Sequence, residues 1–353
     1  MAPTHDLRAA VLGFGFAGRI FHAPFLRAAG FEVAAISTGN PERAAQAREE
    51  YPDAELVASP QQLIGREDLD LIVVATPNSS HVELAEAALE AGHDVVVDKP
   101  VAATVADAQR LIETADQTGG VLSVFQSRRF DSDFRTVQRV IGSGELGEVW
   151  RFESRYERWR PHRADNWRES GDPAEAGGLL FDLGAHLIDQ FISLFGVPDS
   201  VYAELFSRRG GAVDDDVLLS VRAGAVTGQL WMSAVAADAG PRFRILGSRA
   251  AFVKSGMDPQ EDALLAGARP PLDAGADGAW GQESADSYGR IGAGGDWRTV
   301  PSEAGDYTEF YRRMAAAISD DGPVPVDPAD SLAGLRVISA AKRSAAAGTV
   351  EPV

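Results

Sequence analysis

The chain has 353 residues, 45% hydrophobic and 24% charged, with a mean hydropathy of −0.13. That length exceeds what one hydrophobic core usually serves and predicts two domains. Fifty-two acidic against 33 basic residues leave a formal charge of −19, a surface that repels nucleic-acid backbones and anionic lipids.

The absence of cysteine excludes disulfides, thiolate catalysis and cysteine-bound zinc or iron–sulfur centres. No run is long and apolar enough to span a bilayer, and residues 1–8 lack a signal peptide's apolar core, so a cytoplasmic location is expected. Of the 33 basic residues only Lys99, Lys254 and Lys342 are lysine.

Up to residue 127, short apolar runs at 7–12, 31–38, 69–76, 94–98 and 121–127 alternate with amphipathic stretches at 17–29, 41–50, 80–91 and 104–118. Continuous apolar runs suit strands buried on both faces, and this alternation predicts βαβ units in a doubly wound parallel sheet. Residues 147–159 break the pattern: Trp150, Phe152, Ser154 and Tyr156 alternate with Arg151, Glu153, Arg155 and Glu157. That spacing predicts a strand with one packed and one charged face. Further strands are expected at 200–208, 216–222, 225–234, 242–246 and 250–254, with a helix at 181–195. Residues 256–305 read as a loop, and helices at 306–319 and 328–347 close the chain. The expected architecture is an α/β Rossmann domain over 1–127, then an α+β domain over 128–353 with an open, mainly antiparallel sheet. The closing helix is free to pack back on the first domain.

After the first strand comes Gly13-Phe14-Gly15-Phe16-Ala17-Gly18, a G-x-G-x-x-G running into a helix. Gly13 suits a tight turn, Gly15 a close approach to pyrophosphate, and Gly18 close helix–strand packing, with the helix N-terminus facing the phosphates. Sites for NAD usually place a carboxylate about 20 residues on, to hold the ribose 2′-hydroxyl. Here the second strand ends Ser37-Thr38-Gly39-Asn40, with Arg43 one turn later. Two hydroxyls and a guanidinium point to NADP in preference to NAD.

Two further groups carry chemistry. Asp98-Lys99-Pro100 ends the fifth strand, and in open α/β sheets the strands' carboxyl ends border the ligand crevice. A lysine there, in a chain whose cations are nearly all arginine, suits a compact and deprotonatable cation. Asp182 and His186, four apart in an otherwise apolar helix, can share one face. A carboxylate there can fix the imidazole's tautomer for general-base work; an N-cap and a satisfied core histidine are the structural alternatives. No HExxH exists and no metal is expected, nor is there a Tyr-x-x-x-Lys of the short-chain dehydrogenases.

These elements together resemble the glucose–fructose oxidoreductase/inositol dehydrogenase (Gfo/Idh/MocA) family over essentially the whole chain. The resemblance is carried by the glycine loop, Ala75-Thr76-Pro77-Asn78 with His81, Asp98-Lys99-Pro100 where the family has Glu-Lys-Pro, and the stretch from Gly178 to His186. Arg19, His22-Ala23-Pro24, Ser123-Val124-Phe125, Arg128-Arg129, Trp167-Arg168 and Asp258-Pro259-Gln260-Glu261-Asp262 are similar to its branch of NADP-dependent scyllo-inositol 2-dehydrogenases.

The resemblance implies that Lys99 orients the substrate hydroxyl and contacts the nicotinamide ribose, that His186 is the general base, and that Asp182 is its partner. It also implies that Gly13, Gly15, Phe16, Ala17, Gly18, Thr76, Pro77, Asn78, His81 and Asp98 line the cofactor, with Trp167 near the nicotinamide. It further implies a homodimer or homotetramer built on the second domain's sheet. Ser127 stands where the branch often has asparagine. The activity expected is reversible oxidation of a secondary alcohol on a polyol or sugar, with Arg128, Tyr156, Arg158 and Arg160 as candidate substrate contacts. A non-catalytic nucleotide sensor and an NAD-dependent glycosidase of the same fold remain alternatives.

Overall fold

The structure is a computed structural model describing residues 7–163, 169, 171–272 and 279–353. Strands β1 (Arg8–Leu12), β2 (Glu32–Ser37), β3 (Glu55–Val57), β4 (Leu71–Val74), β5 (Asp94–Asp98) and β6 (Leu122–Phe125) form a wholly parallel sheet in the order β3-β2-β1-β4-β5-β6. Its central residues, Ala9 to Leu12, Leu71 to Val74 and Val95 to Val97, have no exposed surface, as a sheet covered on both faces requires. Strand order reverses beside β1, the point at which such sheets take their ligands. Side chains cap two helices at their expected starts: Thr104 accepts the Asp107 amide hydrogen ahead of Val105–Thr118, and Asn40 accepts those of Glu42 and Arg43 ahead of Pro41–Glu50.

The chain divides into two compact units whose segments interleave. The first comprises Met1–Ser127, Gln260–Trp280 and Asp306–Ala329; the second comprises Arg128–Pro259, Gly281–Gly305 and Asp330–Val353. Local periodicity assigns everything beyond 127 to the second domain, but aromatic packing returns the helix Thr308–Asp320 to the first. Phe310 and Tyr311 lie 4.9 and 5.8 Å from the Phe125 ring, and Tyr311 lies 6.2 Å from Phe31.

In the second unit, β7 (Val149–Glu157), β8 (Ser200–Phe206), β9 (Asp216–Ala223), β10 (Val226–Ser233), β11 (Phe243–Gly247), β12 (Ala251–Lys254), β13 (Gly289–Ala293), β14 (Asp296–Val300) and β15 (Glu351–Pro352) make one sheet. It is antiparallel throughout except where β10 runs parallel to β7. Phe152 is buried against Phe191, Phe195 and Phe243. Trp150 departs from the expected packed face and is 53% exposed. The β7–β11 register slips between Leu246 and Gly247, leaving Trp150 as the unpaired residue of a bulge. On the other face Glu153 is nearly buried between Arg155 (2.9 Å) and Arg244 (2.6 Å).

The stretch 256–305 is not the loop its composition predicts: it holds a helix, Gln260–Leu265, and the β13–β14 hairpin. Two of the glycines that suggested a loop, Gly289 and Gly292, are strand residues packed too closely for a side chain. A Cβ on Gly289 would lie 2.5 Å from the Phe252 ring, and one on Gly292 would overlap the Asp296 carbonyl oxygen. The helix Ser132–Gly142 also went unread from the sequence.

Arg242, 4% exposed, ties this unit together from its centre. It donates to Asp133 (3.1 Å), Ser154 (2.6 Å) and Gln190 (3.0 Å), joining the helix Ser132–Gly142, β7 and the helix Ala185–Phe195. Replacing Arg242 with Met leaves the Asp133 carboxylate buried and uncompensated, so chemical denaturation of this unit should show a loss of about 3–5 kcal/mol.

Candidate functional site

The nucleotide edge is built by glycine. Gly13 has φ +93°, and a Cβ there would lie 2.6 Å from the Ala75 carbonyl oxygen after β4. Its amide donates to the Ser37 carbonyl at 3.0 Å, fastening the loop to the end of β2. A Cβ on Gly18 would overlap the Gly13 carbonyl oxygen. The helix predicted at 17–29 opens instead with a wide five-residue turn, Gly18–His22, before the regular helix Ala23–Ala28; such turns recur at functional sites. Phe16 is 49% exposed above this turn, its ring set edge-on to Phe21.

These residues fit a dinucleotide. A Cβ built on Gly15 finds only the Arg43 guanidinium, at 3.5 Å, so a cation faces the open side of the loop. Arg43 is exposed and has no carboxylate partner among the described residues. The Ser37 hydroxyl, 1% exposed, has no hydrogen-bond partner, and Thr38 beside it accepts the Asn40 amide hydrogen at 3.3 Å. An orphaned hydroxyl and an unneutralised guanidinium flank the position where a ribose 2′ substituent is expected.

Two turns follow at the same sheet edge. After β4, Thr76 accepts the Ser80 hydroxyl at 2.8 Å, Pro77 is exposed and Asn78 is buried. After β5, the Asp98 carboxylate accepts the Lys99 amide hydrogen at 2.8 Å, the peptide bond into Pro100 is cis, and Lys99 is half-buried. Burial alone would raise the Asp98 carboxyl, but His22, with His81 and Lys99, outweighs it and holds the group below the usual carboxylate range.

In the second unit, Asp182 lies in another wide turn, Leu180–Gly184, and His186, 6% exposed, lies in the first turn of the helix Ala185–Phe195. Sequence reasoning missed Asp214, which starts that turn by accepting the Leu180 amide hydrogen at 2.7 Å. Burial pushes the Asp214 carboxyl up and the nearby Lys342 ammonium down. The only sequence signal is the Asp214-Asp215-Asp216 run before β9. Asp189, one turn after His186, is held by two bonds from Arg129 (2.8 and 2.7 Å).

Among the proposed substrate contacts, Arg158 stacks 4.5 Å from the Tyr156 ring centroid and donates to its hydroxyl at 2.6 Å. Arg128 lies 5.5 Å from the same ring, Tyr156 itself is 1% exposed, and Arg160 is exposed. Met232 pairs with Tyr156 in register and also lies 3.3 Å from where a Gly184 Cβ would stand. The Asp182 turn and the Tyr156–Arg158 group therefore occupy one end of the sheet. Trp167 lies outside the described residues. Among the described residues no cluster of three or more His, Asp or Glu side chains could hold a metal, and no helix is long and apolar enough to cross a membrane.

Residues 7–126 match the family described as "Oxidoreductase family, NAD-binding Rossmann fold", and residues 134–253 match the "GFO/IDH/MocA C-terminal domain". The chain belongs to the GFO/IDH/MocA oxidoreductase family. It is 33% identical to a scyllo-inositol 2-dehydrogenase (NADP(+)) of Bacillus subtilis over 96% of this chain and 93% of that one. It is 37% identical to the uncharacterized oxidoreductase YdgJ of Escherichia coli over 97% of each chain. The crystal structure of an oxidoreductase from Bacillus cereus superposes with a TM-score of 0.86 at 29% identity, covering 98% of both chains.

For this family member the turn before Asp182 offers a direct test. Gly178 has φ +94°, and a Cβ there would lie 2.5 Å from the Asp214 carboxylate. Gly178→Ala should lower stability by roughly 1–3 kcal/mol by thermal melting. Binding of the nicotinamide dinucleotide, measured by titration, should stay within about threefold, a change well under 1.4 kcal/mol.

Proposed function

We propose that this protein interconverts a secondary alcohol and a ketone on a polyol or sugar, with NADP as its cofactor. The observation that carries the reading is the turn Asp98-Lys99-Pro100 at the carboxyl edge of a sheet whose glycine loop opens beside it. The name of the Bacillus subtilis relative supports the substrate class and the phosphorylated cofactor.

Ser37, Thr38 and Arg43 would hold the ribose 2′-phosphate, and Gly13, Gly15, Phe16, Ala17 and Gly18 the pyrophosphate. Thr76, Pro77, Asn78 and Asp98 would border the nicotinamide half, as would Trp167. When bound, the nicotinamide supplies the hydride acceptor. The imidazole of His186 takes the proton from the substrate hydroxyl oxygen, and Asp182 favours the charged ring that results. The Lys99 ammonium stabilises the negative charge developing on that oxygen. Arg128, Tyr156, Arg158 and Arg160 serve the remaining hydroxyls. A second copy docking on the open face of the nine-stranded sheet is part of the same proposal.

Absorbance of the reduced cofactor, followed over a panel of inositols and aldoses, tests the activity. A nucleotide sensor gives no signal, and a glycosidase releases sugar without net reduction. Lys99→Met should lower turnover about 10²–10³-fold while NADP still binds; near-normal turnover removes Lys99 from the chemistry. Arg43→Ala should weaken NADP about tenfold and leave NAD unchanged in parallel titrations, as expected for one exposed charge-assisted contact. Tighter binding of NAD than NADP by the unaltered protein would reverse the cofactor assignment.

A further inference from the structure

Two buried histidines converge on the turn that carries Lys99. His81, 1% exposed, opens the helix His81–Glu90. Its Nδ1 lies 2.9 Å from the Pro100 carbonyl oxygen, and its Nε2 lies 2.9 Å from the Thr76 carbonyl oxygen. These carbonyls belong to the turns after β5 and β4, neighbouring parallel strands, so one imidazole straps the two turns together. With a carbonyl at each nitrogen, the ring donates to one when neutral and to both as an imidazolium. Both nitrogens are thereby committed to main chain.

His22 approaches from the other side. It has no exposed surface and ends the wide turn Gly18–His22. Its Nδ1 meets the Tyr311 hydroxyl at 2.6 Å. Its Nε2 makes no hydrogen bond and faces the Asp98 carboxylate at 3.8 Å, too long for a bond but close enough for charge to act. The other Asp98 oxygen holds the Lys99 amide. The Pro100 carbonyl is thus tied through His81, and the Lys99 amide is held by Asp98, whose second oxygen faces the His22–Tyr311 pair.

We infer that His81 and the His22–Tyr311 pair are positioning residues for Lys99, holding the turn from which its ammonium is presented. The inference rests on the role proposed for Lys99. It distinguishes these histidines from groups that bond the cofactor: both ring nitrogens of His81 lie against main-chain carbonyls, and Nε2 of His22 faces a carboxylate.

The scarcity of lysine makes the test independent of substrate. With only Lys99, Lys254 and Lys342 in the chain, a protein labelled with ¹³C at the lysine ε-carbon gives three side-chain resonances, and Lys99→Met assigns one. In His81→Gln and His22→Asn the Lys99 resonance should move beyond its linewidth and titrate at a different pH. The Lys254 and Lys342 resonances should hold, and the NADP dissociation constant should change less than about threefold. Turnover of whichever polyol the panel identifies should fall about 10- to 100-fold, the scale of a misplaced catalytic group, and should fall no further when either change is added to Lys99→Met.

An unmoved Lys99 resonance overturns the inference. So does movement of all three resonances together, which reports general loosening, or a dissociation constant that rises in step with the lost turnover, which makes the histidine a cofactor contact. Should the histidine variants fail to fold, Tyr311→Phe deletes one buried hydroxyl while keeping the ring against Phe31, Phe125 and Phe310. A shifted Lys99 resonance in that variant supports the inference, and an unshifted one ends it. Normal turnover in Lys99→Met defeats the role of Lys99 itself, whatever the histidine variants show.

Discussion

The first unit depends on a contact that only an absent side chain permits. The Gly13 carbonyl occupies the space a Cβ on Gly18 would need, and Gly13 in turn sits against the Ala75 carbonyl with a left-handed backbone. That stacking lets the first helix start close to the sheet, with its free amide hydrogens directed at the edge where strand order reverses. A methyl group at either position would push the helix away and close the approach to the loop. On the open side of the same loop Arg43 lies beside Gly15.

The second unit relies on buried charge instead. Arg242 with Asp133, Arg129 with Asp189 and Asp330, and Lys254 with Glu283 each sit in or near the core. Such pairs recover little net stability against a hydrophobic replacement, yet losing one partner is severe. They tie specific elements to one another: Arg242 links three, and Lys254 with Glu283 and Ser132 pins the segment around residue 283 to β12 and the helix Ser132–Gly142. Asp189 and Gln190, directly after the His186 turn, belong to these networks. The end of the sheet that carries Asp182, Tyr156 and Arg158 is therefore held by polar geometry as well as by phenylalanine packing.

Both stretches assigned to chemistry on the two units begin with a widened helical turn, Gly18–His22 and Leu180–Gly184. In each, a positive-φ glycine lies upstream, and a neighbouring strand's carbonyl or carboxylate meets it where no side chain fits. Sequence periodicity predicts ordinary helices there, because apolar spacing barely distinguishes one widened turn from regular winding. The turn becomes visible only when the partner group, Ala75 or Asp214, is in place.

Much of the molecule was nonetheless written locally. Continuous apolar runs declared β1, β4 and β5, and the glycine loop named its ligand class, since each signal acts within a few residues. The candidate site residues Lys99, Asp182 and His186 were legible as types at telling positions. What holds them was not: His81 reaches Pro100, His22 reaches Tyr311, and Leu180 reaches Asp214 across spans no local pattern encodes. The hairpin Gly289–Val300 hid for the opposite reason, its strand glycines Gly289 and Gly292 reading as loop until Phe252 and Asp296 showed why no side chain fits there. The sequence by itself determined most strands of the parallel sheet, the glycine loop and the candidate site residues as types, because backbone preference and hydrophobic period are short-range. Only the tertiary structure decided which unit owns the helix Thr308–Asp320 and which groups meet the turn that carries Lys99, because those depend on side chains meeting from distant parts of the chain.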